Sequence, residues 1–221
     1  MTYNDNLEEV LKAYEPRVAA ASSLRKLGHA FVAHEIDENL LTNIHKTIDK
    51  LLPTILKGAP RVRAIAAMKR AAFSNAPKDG ETIDHFPDCV VSGQENPLGI
   101  AATGYRDKDE AVIKVTLGAA FEGAPGRAHG GVVASLFDDT MGMILNILET
   151  PAYTGKLSIS YLAPTPVKEN LEFRAKCEKI EGRKIFVTAQ AKHNNTLVAT
   201  AEAIFITVPQ IDFVSGSTPK D

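Results

Sequence analysis

Residues 130–149 read GGVVASLFDDTMGMILNILE, and the reading of this stretch decides the fold. Val132, Val133, Leu136, Phe137, Met141, Met143, Ile144, Leu145, Ile147 and Leu148 put apolar side chains nearly all round a helix. A helix of that kind is buried rather than amphipathic. On both sides of it the sequence alternates with the period of half-buried strands. Leu157, Ile159 and Tyr161 share one face, and Lys156, Ser158 and Ser160 the other. Leu171, Phe173, Ala175 and Cys177 alternate in the same way with Glu172, Arg174, Lys176 and Glu178. Such alternation is the mark of antiparallel strands with one wet face.

Further strands are predicted at 100–105 and 111–117, flanking the polar turn Arg106-Asp107-Lys108-Asp109, and at 185–191 and 197–208, joined by Asn194-Asn195. The expected order is therefore strand, strand, helix and four strands. One long buried helix between antiparallel strands implies a sheet wrapped around it. Before residue 80 the periodicity is helical. Leu40, Leu41, Ile44, Ile48, Leu51 and Leu52 form one helix face, with Asp37 as N-cap and Pro53 as stop. An earlier helix is expected over 7–33, with Gly28 as a candidate break, and a third after Pro60 through Val62, Ile65 and Met68. Arg61, Arg63, Lys69 and Arg70 give the third a basic face, which reads either as a solvated helix surface or as a phosphate contact. The turn-rich stretch 75–79 separates the two regimes. The chain thus divides into an N-terminal helical extension, residues 1–80, and an α+β domain, residues 81–221.

Composition narrows the function classes. The chain has 221 residues, 44% of them hydrophobic and 24% charged, enough to bury a core and unlike a disordered chain. A formal net charge of -2 argues against a protein built to bind nucleic acid. No apolar run approaches the roughly 20 residues of a spanning helix, and the first ten residues lack a signal-peptide pattern. A cytoplasmic location is the resulting expectation. Cys89 and Cys177 form no CxxC pair, which suits reduced thiols. His29, His34, His45 and His193 show no metal-ligand spacing, so no metal and no cofactor are expected.

Chemistry points to the start of the buried helix. Phe121-Glu122-Gly123-Ala124-Pro125-Gly126-Arg127-Ala128-His129-Gly130-Gly131 is a glycine-rich turn opening onto it. The first N–H groups of a helix have no internal partners and carry the positive end of its dipole. Gly130 and Gly131 have no side chain to keep a carbonyl oxygen or an anion away. Asp138, with Asp139 beside it, then stands in an apolar helix, where a carboxylate out of water needs a reason; the other reading is a side chain that reaches solvent or a partner chain. Ala134 and Gly142, one turn to either side of Asp138, leave room for a substrate and a water.

These residues resemble the phenylacetyl-CoA-thioesterase-type branch of the hotdog superfamily, which includes the 4-hydroxybenzoyl-CoA thioesterase relatives and the mammalian mitochondrial acyl-CoA thioesterases. The resemblance covers about residues 84–208. It rests on FEGAPG before HGG, an aspartate nine positions after His129, LSISYLAPTP after the helix and IEGRKIFVTAQ in the later hairpin. It implies a hotdog fold, an antiparallel sheet wrapped around a long central helix, and hydrolysis of acyl-CoA thioesters. By position it implies that Gly131, or Gly130, polarises the thioester carbonyl, that Asp138 is the catalytic carboxylate and that Thr154 holds the attacking water. His129, Gly130 and Ala134 would line the substrate. Some relatives carry an asparagine where this chain has Gly123. The resemblance also implies a site at a dimer interface, so a homodimer or dimer of dimers is expected. Seven residues from Gly131 to Asp138 span about 10 Å of helix, too far for both to serve one carbonyl in one chain.

Two other readings compete. His85-Phe86-Pro87 resembles the motif of acyl-carrier-protein dehydratases but lies before the helix turn without its extended motif, and the hydratase aspartate position is Ala124. From another class comes a non-catalytic acyl-CoA sensor with an N-terminal interaction segment. The intact Asp138 favours catalysis.

Overall fold

The computed structural model describes residues 14–83 and 86–209. Among the described residues four helices and eight strands follow in the order α1 (Glu15–Ala33), α2 (Glu38–Leu56), α3 (Ile65–Ala71), β1 (Thr103–Asp107), β2 (Glu110–Thr116), β3 (Glu122–Ala124), β4 (Arg127–Ala128), α4 (Gly130–Ile147), β5 (Ala152–Tyr161), β6 (Asn170–Glu181), β7 (Lys184–His193) and β8 (Thr196–Thr207). Six strands form one antiparallel sheet in the order β1-β2-β6-β7-β8-β5. The short ribbon β3–β4 stands apart. α4 touches all six strands of the large sheet. This is the hotdog arrangement, with helical segments N-terminal to it.

The packing follows from the two periodicities. On β6, Leu171, Phe173 and Ala175 are buried and alternate with Glu172, Arg174 and Lys176. They meet Leu136, Phe137, Met141, Met143 and Ile144 of α4, each at most 1% exposed. Phe137 lies edge-on to Phe173 with ring centroids 5.1 Å apart, the arrangement that the aromatic quadrupole favours. Burying side chains of this size stabilises by about 1.5–3 kcal/mol each. The β1–β2 hairpin turns at Lys108, and β7–β8 turns at Asn194 and Asn195, all three at positive φ. The Asn-Asn pair suits a tight hairpin turn, because asparagine tolerates the left-handed region better than most residues.

The helical region departs from expectation at Gly28, at Pro53 and after Pro60, where the third helix begins only at Ile65 and leaves Val62 outside it. α1 runs unbroken through Gly28 to Ala33, and the expected stretch 7–13 lies outside the described residues. Asp37 caps α2 as expected, its side chain accepting from the Leu40 N–H at 3.0 Å, but Pro53 does not stop the helix. Proline in a last turn costs one hydrogen bond, from the carbonyl four residues earlier. On an exposed helix, water replaces it. α2 in fact buries no residue, so its regular apolar face stands open in the single chain.

α1 is docked on the hotdog part. The Arg25 guanidinium donates to the carbonyls of Gln94 and Asn96 at 3.0 and 2.7 Å. The Tyr14 N–H donates to Glu95 at 2.6 Å, and Arg17 lies 3.6 Å from the same carboxylate. Arg61 also pairs with Glu95 and with Asp88, and Arg63 with Asp88 at 3.2 Å. A buried carboxylate needs such partners, and Glu95 is 4% exposed. Arg61 and Arg63, two of the four basic residues expected on a third helix, lie before α3 and are spent on internal ion pairs. Cys89 and Cys177 are both half-buried. Among the described residues no helix is long and apolar enough to cross a membrane.

Truncating the ring at the centre of this core should be costly. Phe137→Ala is expected to lower stability by about 3–5 kcal/mol through lost transfer energy and a residual cavity. Urea denaturation should show a lower midpoint at an unchanged slope.

Candidate active site

The glycine-rich turn is built strand by strand. A single 3-10 turn, Ala119–Phe121, leads into the ribbon β3–β4, which reverses at Gly126. Gly126 has φ +73°, a conformation glycine adopts without strain. The Ala128 N–H donates to the Thr165 carbonyl at 2.9 Å, and the His129 N–H to the Phe121 carbonyl at 2.8 Å. His129 is thereby placed as the N-cap of α4. Its Nδ1 accepts from the Gly131 N–H at 2.9 Å, and its carbonyl accepts from the Val132 and Val133 N–H groups. Among the described residues the Gly130 N–H has no partner. Gly123 stands where some relatives have asparagine, and a Cβ there would come within 2.8 Å of the His129 Cα. This backbone therefore closes ribbon against cap too tightly for a side chain at 123.

Two turns further along α4 stands Asp138. The sequence leaves open whether Asp138 is held out of water or reaches solvent, and the structure decides for the second in the single chain. Asp138 is exposed, and Asp139 is the buried carboxylate at 8% exposure. The reason is helical geometry. Gly131, Ser135, Asp138 and Gly142 fall within about 60° of one another around the helix at 3.6 residues per turn, on the side the sheet leaves uncovered. Asp139 is about 100° further round and accepts from the Cys89 thiol at 3.3 Å. Ala134 is half-buried between the two levels of the exposed face.

β5 supplies the other wall. It is an edge strand that pairs only with β8, and its register shifts between Thr154 and Lys156. Such a bulge re-aims the side chains next to it. The Thr154 hydroxyl donates to the Asp138 Oδ1 at 3.0 Å. At the other end of the strand, the Tyr161 hydroxyl donates to the Gly130 carbonyl at 2.8 Å. The structure thus brings together Asp138 with Thr154, and His129 with Gly130 and Gly131, along one open helix face. Tyr161 was not singled out as a site residue from the sequence. The signal available was its place at the end of LSISY, where an exposed tyrosine ends an otherwise alternating strand. His85 lies outside the described residues, and Phe86 and Pro87 are far from the helix turn in sequence. No group of three or more His, Cys, Asp or Glu side chains among the described residues is placed to hold a metal.

Residues 125–200 match the model of the Thioesterase superfamily. The acyl-coenzyme A thioesterase THEM4 of Mus musculus is 40% identical over 87 residues, 38% of this chain and 37% of that protein. THEM4 of Rattus norvegicus is 38% identical over 116 residues, 51% of this chain and 50% of that protein. The chain therefore spans half or less of the length of these curated relatives. The crystal structure of a thioesterase superfamily protein superposes with a TM-score of 0.73 over 86% of this chain and 90% of that one, at 23% identity, a likeness of fold. Over residues 125–200 the chain is thus similar to the thioesterase superfamily in sequence, and it shares its fold with a solved protein of that name.

Proposed function

We propose that this protein hydrolyses acyl-CoA thioesters to the free acid and coenzyme A. The observation that carries the reading is the 3.0 Å hydrogen bond between Thr154 and Asp138, across helix and edge strand, on the same helix face as the α4 N-terminus. The relatives' name, acyl-coenzyme A thioesterase, supplies the substrate class.

The thioester carbonyl oxygen takes the N–H groups that open α4. The Gly130 N–H is free for it, and the Gly131 N–H becomes so once His129 Nδ1 yields its place. Donors held by a helix backbone cost little reorganisation as negative charge develops on the oxygen. Ala134 leaves space beside them. Asp138 accepts a proton from water as that water attacks the carbonyl carbon. The C–S bond then breaks, and the thiolate of coenzyme A leaves and is protonated. Thr154 donates to one Asp138 oxygen, leaving the other to face the water. Direct attack by Asp138, forming an anhydride that water then opens, uses the same residues.

Asp138 and Gly131 stand about 10 Å apart along one helix, so one active site draws on two chains. A two-fold that sets the α4 helices antiparallel brings the aspartate of one chain to the glycines of the other. The exposed face of Gly131, Ser135, Asp138 and Gly142 is small enough for close helix approach. The unpaired edge of β5, ten residues long, offers the matching sheet contact.

A panel of acyl-CoA substrates from short to long, with aryl-acetyl members, tests the activity by thiol release. Asp138→Asn should retain fold and acyl-CoA binding and lose kcat by about 10²- to 10⁴-fold, the range for a removed acid–base group, with little change in apparent affinity. Turnover by that variant at the parent rate would sink the mechanism. A parent that binds acyl-CoA tightly and hydrolyses none would instead be a sensor.

Thr154→Ala should lose part of the rate, and Thr154→Ser should regain it, since only the hydroxyl is used. Equal rates for parent and Thr154→Ala would remove Thr154 from the site.

Sedimentation should find the active species to be a dimer or a larger even assembly. An active monomer would contradict the shared site.

A further inference from the structure

The N-terminal extension reaches the back of the active-site turn through one side chain. His29, on α1, accepts the Ala120 N–H on its Nδ1 at 3.1 Å. Its ring meets Phe121 edge-on with centroids 5.0 Å apart. The approach depends on Gly118, where a Cβ would lie 2.4 Å from the His29 Nδ1. These contacts fall on the 3-10 turn, Ala119–Phe121, that precedes the glycine-rich ribbon. From there the connection is short. The Phe121 carbonyl accepts the His129 N–H at 2.8 Å, and His129 caps the Gly131 N–H.

We propose that His29 is a positioning residue for the thioester site, holding the turn 118–121 so that His129 and the first N–H groups of α4 stay where the carbonyl must bind. The inference rests on the thioesterase reading and gives the N-terminal extension a part in it. His29 contacts none of the reacting groups and acts through Phe121 and His129. Its ring can accept only when neutral, and burial pushes its pKa below the ordinary histidine value, which keeps it an acceptor. α1 is anchored independently by Arg25 and by the Glu95 pairs, so the helix remains docked when His29 changes. What changes is the local hold on the turn. Small displacements of oxyanion donors weigh heavily on rate, because the stabilisation is won at hydrogen-bond range of the developing charge.

The test uses the full-length protein and the acyl-CoA that the parent hydrolyses fastest. His29→Ala removes the acceptor. His29→Asn puts an amide oxygen close to the Nδ1 position, and His29→Gln puts it near the Nε2 position, away from Ala120. We expect His29→Ala and His29→Gln to lose about ten-fold in kcat with KM changed less than two-fold, and His29→Asn to recover most of the loss. Hydrogen exchange of the amides in 119–131 should quicken in the Ala and Gln variants and return toward the parent in Asn. Parent-like kcat in His29→Gln, or an Asn variant as slow as Gln, would overturn the proposal. The Asn–Gln contrast decides the matter even where His29→Ala fails to fold. A parent inactive on every acyl-CoA would overturn the thioesterase reading itself, whereas an active parent with indifferent His29 variants overturns only this inference.

Discussion

The need to bury α4 governs the rest of the molecule. Its apolar side chains point in nearly every direction, and only a curved surface can cover most of them at once. A six-stranded antiparallel sheet supplies that surface, and α4 touches each of its strands. Because the sheet does not close into a barrel, one strip of the helix stays uncovered beside the β5 edge. The strip carries Gly131, Ser135, Asp138 and Gly142, the residues of α4 that contribute least to the core. The same geometry that buries Phe137 and Met141 therefore presents Asp138. An arrangement that covered the helix on all sides would close Asp138 off from solvent.

The second constraint is the N-terminus of α4. Four N–H groups there have no helical partner. His129 settles three of them, one through its ring and two through its carbonyl, and leaves Gly130. The cap is itself held by Phe121, and Phe121 by His29 from α1. Glu95 plays a comparable part on the other side of α1, collecting Tyr14, Arg17 and Arg61 around one buried carboxylate. The segment that sequence composition sets apart as an extension is thus tied to the hotdog part by charge-assisted hydrogen bonds. The basic residues Arg61 and Arg63, which from sequence alone could have met a phosphate, are neutralised at home.

Much of this was legible in the residues. Strand alternation in 157–161 and 171–177, the turn at Asn194-Asn195 and the all-round apolar helix are local patterns with direct physical meaning, and each led to the element found. Thr154 and Asp138, which the resemblance names together, are hydrogen-bonded, and their catalytic role stands as a proposal. What the residues left open concerns surroundings, and what they misjudged concerns helix ends. Which of two adjacent aspartates meets water depends on the helix's rotation against the sheet, and a nearly uniform apolar pattern carries no phase for it. Pro53 was read as a stop because proline ends helices in general. Whether it does so at a given place depends on whether water can take the freed carbonyl.

The sequence by itself determined the elements, their order and the chemical kinds assembled near residue 130, because those follow from periodicity, turn preference and the lack of side chains on glycine. Only the tertiary structure decided which groups face each other. The Thr154–Asp138 bond spans 16 residues, the Tyr161–Gly130 bond 31 and the His29–Ala120 bond 91. Contacts at such separations depend on sheet order, on the bulge in β5 and on the docking of α1, and no local pattern of side chains encodes them.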